Sequence, residues 1–226
     1  MRWLLVAGAI ALSAGTAQAA TRPVVVELFT SEACSSCPPA EAVLKQLKAT
    51  DAAILPLSFH VTYWNSAAWT DAYGLQAATD RQSYYAALHG SSDVYTPEAV
   101  VDGTAQMVGS DQTAVTRAIA AARLSALPVV PVTITGASMI AITVGGGAVA
   151  AANIWLFGYD SAHRTKIGGG ENGGATIDEV NVVRSVTALG PWDGRLRVWS
   201  VARPVGEHVA VLVQTADGRI AGAASD

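Results

Sequence analysis

The sequence predicts an α/β domain with a mixed sheet, in the order β-α-β-α-β-β-α, followed by an all-β C-terminal domain that forms a small sandwich. Up to about residue 126, apolar runs alternate with segments of helical spacing. A proline-rich boundary follows, with the sequence Leu127-Pro128-Val129-Val130-Pro131. Beyond it the hydrophobic period changes to two, and no helical pattern returns.

The first elements form a strand, a helix and a second strand. Residues 24–29 are apolar and rich in β-branched side chains, which favours a strand. Residues 38–49 have helical spacing with an apolar stripe at 42, 43, 44 and 47, and prolines are tolerated in the first turn. Residues 54–61 form the second apolar strand. Since a helix joins the two strands, they should be parallel with a right-handed crossover.

The remaining elements follow the same logic. The first domain continues with a helix at 71–89, strands at 98–101 and 105–108 around an Asp102-Gly103 turn, and a helix capped by Ser110-Asp111 that reaches about 125. The strands predicted after the boundary are 132–135, 139–144, 153–159, 180–186, 196–201 and 209–214, with an Asp217-Gly218 turn near the end.

The first 19 residues have the features of a signal peptide. Arg2 supplies one positive charge, residues 3–14 are uncharged and mostly apolar, and Ala17-Gln18-Ala19 has the small-x-small form that signal peptidase accepts. The apolar run is shorter than the roughly 20 residues of a membrane span. We therefore expect a signal peptide (1–19), a first domain (20–127) and a β-rich domain (128–226), with no membrane span after cleavage. A periplasmic or secreted location follows.

The composition limits the function classes. The chain has 226 residues, of which 51% are hydrophobic and 14% charged, against about 25% charged in an average domain. A sizeable core is therefore available. Without Arg2, 13 basic side chains face 18 acidic ones, and no cluster of Lys or Arg exists to attract phosphates. Nucleic acid is thus excluded as a partner, and the oligomeric state is left open.

Two cysteines stand three residues apart, in the motif Cys34-Ser35-Ser36-Cys37. A disulfide across so small a loop stabilises a fold by roughly 2 kcal/mol, against about 4.7 kcal/mol for a 100-residue loop. The spacing therefore favours chemistry over reinforcement. Cys34 precedes a helix, whose positive end favours the thiolate, and Cys37 can resolve a mixed disulfide. The serines can donate hydrogen bonds to the sulfur, whereas Pro38 and Pro39 each remove an N–H that could have done so. The net shift of the Cys34 pKa therefore stays open.

The order of these elements resembles the thioredoxin fold over residues 22–126. The resemblance rests on the C-x-x-C pair at a helix start and on Thr96-Pro97 before the hairpin. It implies that the Thr96-Pro97 bond is cis, lies against the cysteines, and exposes the Thr96 backbone to an incoming substrate peptide. An ordinary trans turn is the alternative.

A narrower resemblance points to one bacterial family that is exported, thioredoxin-like and catalogued as a domain of unknown function. It is carried by the segments at 27–31, 34–39, 59–61, 63–64, 95–97, 100–103 and 170–173. This chain has Thr62 and Asn65 where the family pattern leads us to expect acids. Gly168-Gly169-Gly170-Glu171-Asn172-Gly173 contains G-x-G-x-x-G but opens no helix, which excludes a dinucleotide site. Its place in the family pattern suggests contact with the cysteines.

Three further side chains have open roles. Glu27 is a carboxylate in a strand that should be buried, where its pKa should rise; it is either the proton acceptor for Cys37, as the resemblance implies, or a structural acid. His60 is a proton shuttle, a third metal ligand beside two thiolates, or a buried structural histidine. Trp64, together with Tyr63 and Trp69, lines a substrate groove or packs under a long connection.

These observations favour a thiol-disulfide oxidoreductase acting on cysteines of a protein substrate. The predicted catalytic residues are Cys34, Cys37 and Glu27, the predicted substrate-binding residues are Thr96, Pro97 and Trp64, and Cys34 and Cys37 form the disulfide. No cofactor and no metal are assigned. Two alternatives remain: a copper-binding module using Cys34, Cys37 and His60, and a non-enzymatic scaffold whose disulfide stays permanently oxidised.

Overall fold

The computed structural model describes residues 22–149 and 151–226, so the predicted signal peptide lies outside the described residues. In chain order the elements are β1 (Val24–Thr30), α1 (Pro38–Thr50), β2 (Ile54–His60), α2 (Gln76–Leu88), β3 (Glu98–Val101), β4 (Ala105–Val108), α3 (Gln112–Arg123), β5 (Val132–Gly136), β6 (Met139–Val144), β7 (Ala152–Lys166), β8 (Thr176–Trp192), β9 (Arg197–Ala202), β10 (His208–Thr215) and β11 (Ile220–Ser225). Within this part of the chain, no helix is long and apolar enough to cross a membrane.

The predicted division into a thioredoxin-like α/β domain and a separate β-sandwich is wrong. Strands from both predicted domains share one eight-stranded mixed sheet, in the order β11-β10-β7-β8-β2-β1-β3-β4, and β5, β6 and β9 form a second sheet of three strands. The described chain is therefore mostly sheet, with three helices. The predicted boundary at 127/128 falls in the connection between α3 and β5.

The continuity of the large sheet has a physical cause at β2. All seven residues of β2 are buried, and a buried strand edge needs partners for its backbone groups. The strand β8 supplies them in part: it pairs with β2 in parallel at Ser58 and Val182, and the side chain of Asn181 donates a hydrogen bond to the Pro56 carbonyl at 2.7 Å. The predicted strand at 180–186 already contains Asn181 and Val182, but hydrophobic periodicity does not show which strand pairs with the edge of β2.

Several local predictions are confirmed. The strands β1 and β2 are parallel, and β3 and β4 form an antiparallel hairpin. At its turn, Asp102 and Gly103 have φ angles of 50° and 77°. The Asp111 carboxylate caps α3 by accepting a hydrogen bond from the Ala114 N–H at 2.9 Å. The helix α2 begins later than predicted, at Gln76.

Successive residues of β1 face opposite sides of the large sheet, so each side chain of β1 belongs to one of two separate cores. Val26 and Leu28 pack in one core with α1 and α3, whereas Val25 and Phe29 pack in another core with α2. We call these sides the α1 face and the α2 face. A third core lies between the three-stranded sheet and the strands β7 and β10.

Candidate functional site

The two cysteines form a disulfide at the start of α1. Cys37 directly precedes the helix, and prolines occupy its first two positions. Cys34 is 0% and Cys37 1% exposed, whereas Ser35 and Ser36 between them are exposed. The serines are therefore the part of the motif that solvent reaches, and the disulfide lies beneath the surface.

The hydroxyl of Ser36 lies between the Cys34 sulfur and the Thr96 backbone, and it donates its single hydrogen to the Thr96 carbonyl oxygen. Its Oγ lies 3.3 Å from Cys34 Sγ and 3.4 Å from the Thr96 carbonyl oxygen. The helix supplies no competing amide in its first turn: the prolines have no N–H, and the N–H groups of Ala40 and Glu41 donate to the Cys37 carbonyl at 2.9 and 3.2 Å. Of the serine hydroxyls and helix N–H groups that could contact the sulfur, the Ser36 hydroxyl is thus the one that lies within reach of it.

The predicted substrate-binding residues lie beside the disulfide. The Thr96-Pro97 bond is cis, and the Thr96 carbonyl faces the Ser36 hydroxyl. The indole N–H of Trp64 donates to the Thr96 hydroxyl oxygen at 2.7 Å. A chain of polar contacts therefore joins Cys34, Ser36, Thr96 and Trp64. Pro97 is buried next to it.

The glycine loop between β7 and β8 contacts the cysteine motif. The side-chain amide of Asn172 donates to the carbonyl oxygens of Glu32 at 2.8 Å and of Cys34 at 2.9 Å. The same loop also packs closely on the connection between β2 and α2, where a Cβ at Gly169 would lie 2.2 Å from the Ala68 carbonyl oxygen. The loop is thus a support for the segment that carries Cys34.

Glu27 lies on the α2 face, on the other side of β1 from the helix that follows Cys37. It is fully buried, and both of its oxygens are held: Arg81 donates from Nε and Nη2, and the Tyr85 hydroxyl donates at 2.6 Å. A carboxylate paired in this way is the structural acid, one of the two roles that the sequence left open. The structure does not bring it together with the cysteines as a proton acceptor.

The other two aromatic side chains of the proposed groove have structural contacts. The Tyr63 hydroxyl donates to the side chain of Gln82 at 3.1 Å. The indole N–H of Trp69 donates to a carboxylate oxygen of Glu32 at 2.9 Å. Of the three aromatic residues, Trp64 is the one that these contacts bring to Thr96.

The α1 face carries a buried cluster of ionisable side chains. The sequence interpretation singled out His60 of this cluster but missed its other members. Glu41 of α1, His60 at the end of β2 and Glu179 of β8 are all buried, and one candidate ligand atom from each lies within 4.8 Å of the others. The His60 Nδ1 atom lies 2.8 Å from the Asp71 carboxylate, which also accepts the Glu32 N–H at 2.9 Å. Cys34 and Cys37 are bonded to each other in this structure, and the copper alternative, which needs both thiolates, stays a prediction.

The pKa values in this cluster follow from burial and mutual charge. Burial alone lowers the pKa of His60, but the hydrogen bond and charge of Asp71 and the charges of Glu179 and Glu41 outweigh it and raise the pKa to about 9. Burial raises the pKa of Glu179 to about 8. Burial also raises the pKa of Glu41. The hydrogen bond with His60 holds the pKa of Asp71 below its usual value despite its burial.

A signal for Glu41 was present in the sequence. Cys37, Ala40, Glu41 and Leu44 have the spacing of one helical face, and three of these four side chains are apolar. The structure buries this face and exposes Ala42, which the predicted stripe included. Glu41 therefore stood on the apolar face, where an acid requires an explanation.

The fold and the site define a class: mixed-sheet proteins with a disulfide at the start of a helix, supported by a long glycine loop. The chain belongs to the family described as "Protein of unknown function (DUF1223)", whose family model matches residues 25–214. No curated protein matches the chain.

Two solved structures are similar. The crystal structure of protein AGR_C_4864 from Agrobacterium tumefaciens has a TM-score of 0.80 and 28% sequence identity, over 92% of this chain and 95% of that one. HBP35 of Porphyromonas gingivalis has a TM-score of 0.57 and 14% identity, over 92% of this chain and 76% of that one. The second similarity concerns the fold alone.

Proposed function

We propose that this protein is an exported thiol-disulfide oxidoreductase that exchanges the Cys34–Cys37 disulfide with cysteines of a partner protein. One observation carries the proposal: the disulfide at the start of α1 lies against the Thr96 carbonyl through a single serine hydroxyl. A C-x-x-C pair beside a cis threonine-proline bond is also the arrangement that the resemblance to thioredoxin-like oxidoreductases implies. Export is supported by the features of residues 1–19.

The proposed reaction balances as a two-electron exchange. In the reducing direction, the Cys34 thiolate attacks one sulfur of a substrate disulfide, whose S–S bond breaks, and the departing substrate thiolate takes up a proton. The Cys37 thiolate then attacks Cys34 Sγ, which releases the second substrate thiol and forms the disulfide seen here. A reducing dithiol returns the pair to the thiol form, and the reverse sequence oxidises a substrate.

The chain's own residues support two parts of this reaction. A negative charge on Cys34 draws the Ser36 hydroxyl hydrogen from the Thr96 carbonyl to the sulfur, because hydrogen bonds to charged acceptors are the stronger ones. In this proposal, a substrate peptide approaches the sulfur along the Thr96 backbone and the Trp64 ring, which are joined by a hydrogen bond. Since the cysteines are buried and reactive cysteines are partly exposed, exchange requires the serine segment to move aside.

Burial also favours the scaffold alternative, in which the disulfide is inert. The two functions differ in the fate of single cysteine variants. With dithiothreitol as reductant and insulin as substrate, the wild type should accelerate insulin reduction, and Cys34→Ser should leave only the background rate.

Cys37→Ser keeps the first step and loses the second, so it should accumulate a mixed disulfide with a disulfide-containing peptide. Cys34→Ser provides the matched control and should form none. Equal background rates for the wild type and Cys34→Ser would refute the proposed function and support the scaffold.

A further inference from the structure

We propose that Glu41, His60 and Glu179 bind a divalent first-row metal ion such as Zn²⁺, in a site separate from the disulfide. The three residues come from α1, β2 and β8, which the sheet brings together from distant parts of the chain. Each is no more than 2% exposed. This proposal does not rest on the proposed exchange reaction.

The first argument is that each of the three side chains has one buried polar atom without a hydrogen-bond partner. These atoms are Glu41 Oε2, His60 Nε2 and Glu179 Oε2. Buried polar atoms in folded proteins are almost always paired, and each exception calls for an explanation such as an ion. One shared ion would provide a partner for all three.

The second argument is charge. Glu32, Glu41, Asp71 and Glu179 are all buried, and each interacts electrostatically with another member of the cluster. Among the ion pairs of the described residues, His60 is the one cationic partner of Glu179 and Asp71. Buried carboxyl groups are neutralised by protonation, by pairing or by a metal, and one imidazole can pair with only some of these four groups. A divalent cation would take the place of the protons that the buried carboxyl groups otherwise carry.

The third argument is the orientation of His60. Its Nδ1 atom is hydrogen-bonded to the Asp71 carboxylate, which leaves Nε2 directed at Glu179, 3.6 Å from Oε1. Histidines that bind metals commonly pair their other ring nitrogen with a carboxylate in this way. Two donors that each lie about 2.1 Å from a tetrahedral Zn²⁺ are about 3.4 Å apart. The observed separation is close to that value.

The donor set selects the class of metal. One imidazole and two carboxylates suit Zn²⁺, Fe²⁺ or Mn²⁺, whereas Cu⁺ prefers thiolates and Ca²⁺ takes six to eight oxygens. The site therefore differs from the copper alternative in both ligands and metal.

The experiment measures Zn²⁺ binding to the purified mature protein after treatment with a chelator. Isothermal titration calorimetry and elemental analysis should give one Zn²⁺ per chain, and Zn²⁺ should raise the thermal midpoint by mass action. Glu179→Gln and Glu41→Gln should each lose affinity by more than about a hundredfold, and Asp71→Asn by about 10- to 100-fold. The exposed Glu171→Gln variant is the matched control and should bind as the wild type does.

A second measurement separates this ligand set from the cysteines. The Cys34→Ser/Cys37→Ser variant should keep its Zn²⁺ stoichiometry, and the Co²⁺ complex of the wild-type protein, with its cysteines reduced, should show no thiolate charge-transfer band. Circular dichroism checks that each variant is folded. If a variant does not fold, the Zn²⁺ stoichiometry of the wild-type protein is the measurement that tests the proposal. Wild-type protein without Zn²⁺ binding would overturn the proposal, as would full affinity in both glutamine variants.

Discussion

On the α2 face of β1, the buried carboxylate of Glu27 is held by Arg81 and Tyr85, whereas on the α1 face Glu41 and Glu179 have oxygens without partners. Both faces bury acids beneath a helix of 13 residues. The difference is that α2 supplies an arginine and α1 supplies another acid. The comparison indicates that the α2 face serves stability and that the α1 face, which also carries the disulfide, has capacity for chemistry.

The largest effect should come from breaking the pair on the α2 face. Arg81→Met leaves Glu27 buried without its cation, which costs about 3–5 kcal/mol of unfolding free energy. Urea denaturation measures this loss. The exposed Arg117→Met is the matched control and should change stability by less than about 0.5 kcal/mol. Disulfide exchange per folded molecule should stay at the wild-type rate, and a selective loss of exchange would show that the α2 face takes part.

A double variant sharpens the same contrast. Glu27→Gln in the Arg81→Met background removes the orphaned charge, so part of the lost stability should return. The coupling between the two sites should be about 1–3 kcal/mol in a double-mutant cycle. Additive losses would mean that Glu27 and Arg81 do not stabilise each other.

These contacts also show what could be predicted from the sequence. The parallel strands around α1, the β3–β4 hairpin and the Asp111 cap depend on local patterns, and they are confirmed. The glycine loop was expected to contact the cysteines, and Asn172 does so.

The single large sheet and the buried cluster depend on long-range pairing instead. In β8, Glu179 directly precedes the predicted strand 180–186 and was left outside it. Its partners in α1 and β2 are more than 100 residues away along the chain. Periodicity cannot show which strand covers the edge of β2, so neither the sheet order nor the meeting of Glu41, His60 and Glu179 was predictable.

A smaller loss is expected at the loop that supports the disulfide. Asn172→Ala removes the donor shared by the Glu32 and Cys34 carbonyls, and each lost hydrogen bond costs about 0.5–1.5 kcal/mol. Reduction of the disulfide by dithiothreitol should become faster, because the segment is held less firmly. Glu171→Ala, at the neighbouring exposed position, should leave both values unchanged. A reduction rate for Asn172→Ala equal to that of the wild type would show that the loop does not restrain the disulfide.

The smallest effect concerns the hydroxyl at the sulfur. Ser36→Ala removes the hydroxyl 3.3 Å from Cys34 Sγ, and a loss of about 1.4 kcal/mol of thiolate stabilisation lowers the thiolate fraction about tenfold at a pH below the pKa. Because the less stabilised thiolate is the better nucleophile, exchange should become about threefold slower. Stopped-flow exchange with oxidised glutathione measures this rate. Ser35→Ala, which changes the other exposed serine of the motif, is the control. If both variants react equally, the Ser36 contact has no role in exchange.

The most direct test of a reactive disulfide on the α1 face is a redox titration of the Cys34–Cys37 pair against glutathione. Exchange catalysts have potentials between about −270 and −120 mV, whereas structural disulfides lie below about −300 mV. We predict a midpoint within the catalytic range that is unchanged in Arg81→Met. A midpoint below about −300 mV would contradict the proposed function and leave the disulfide as a permanent part of the fold.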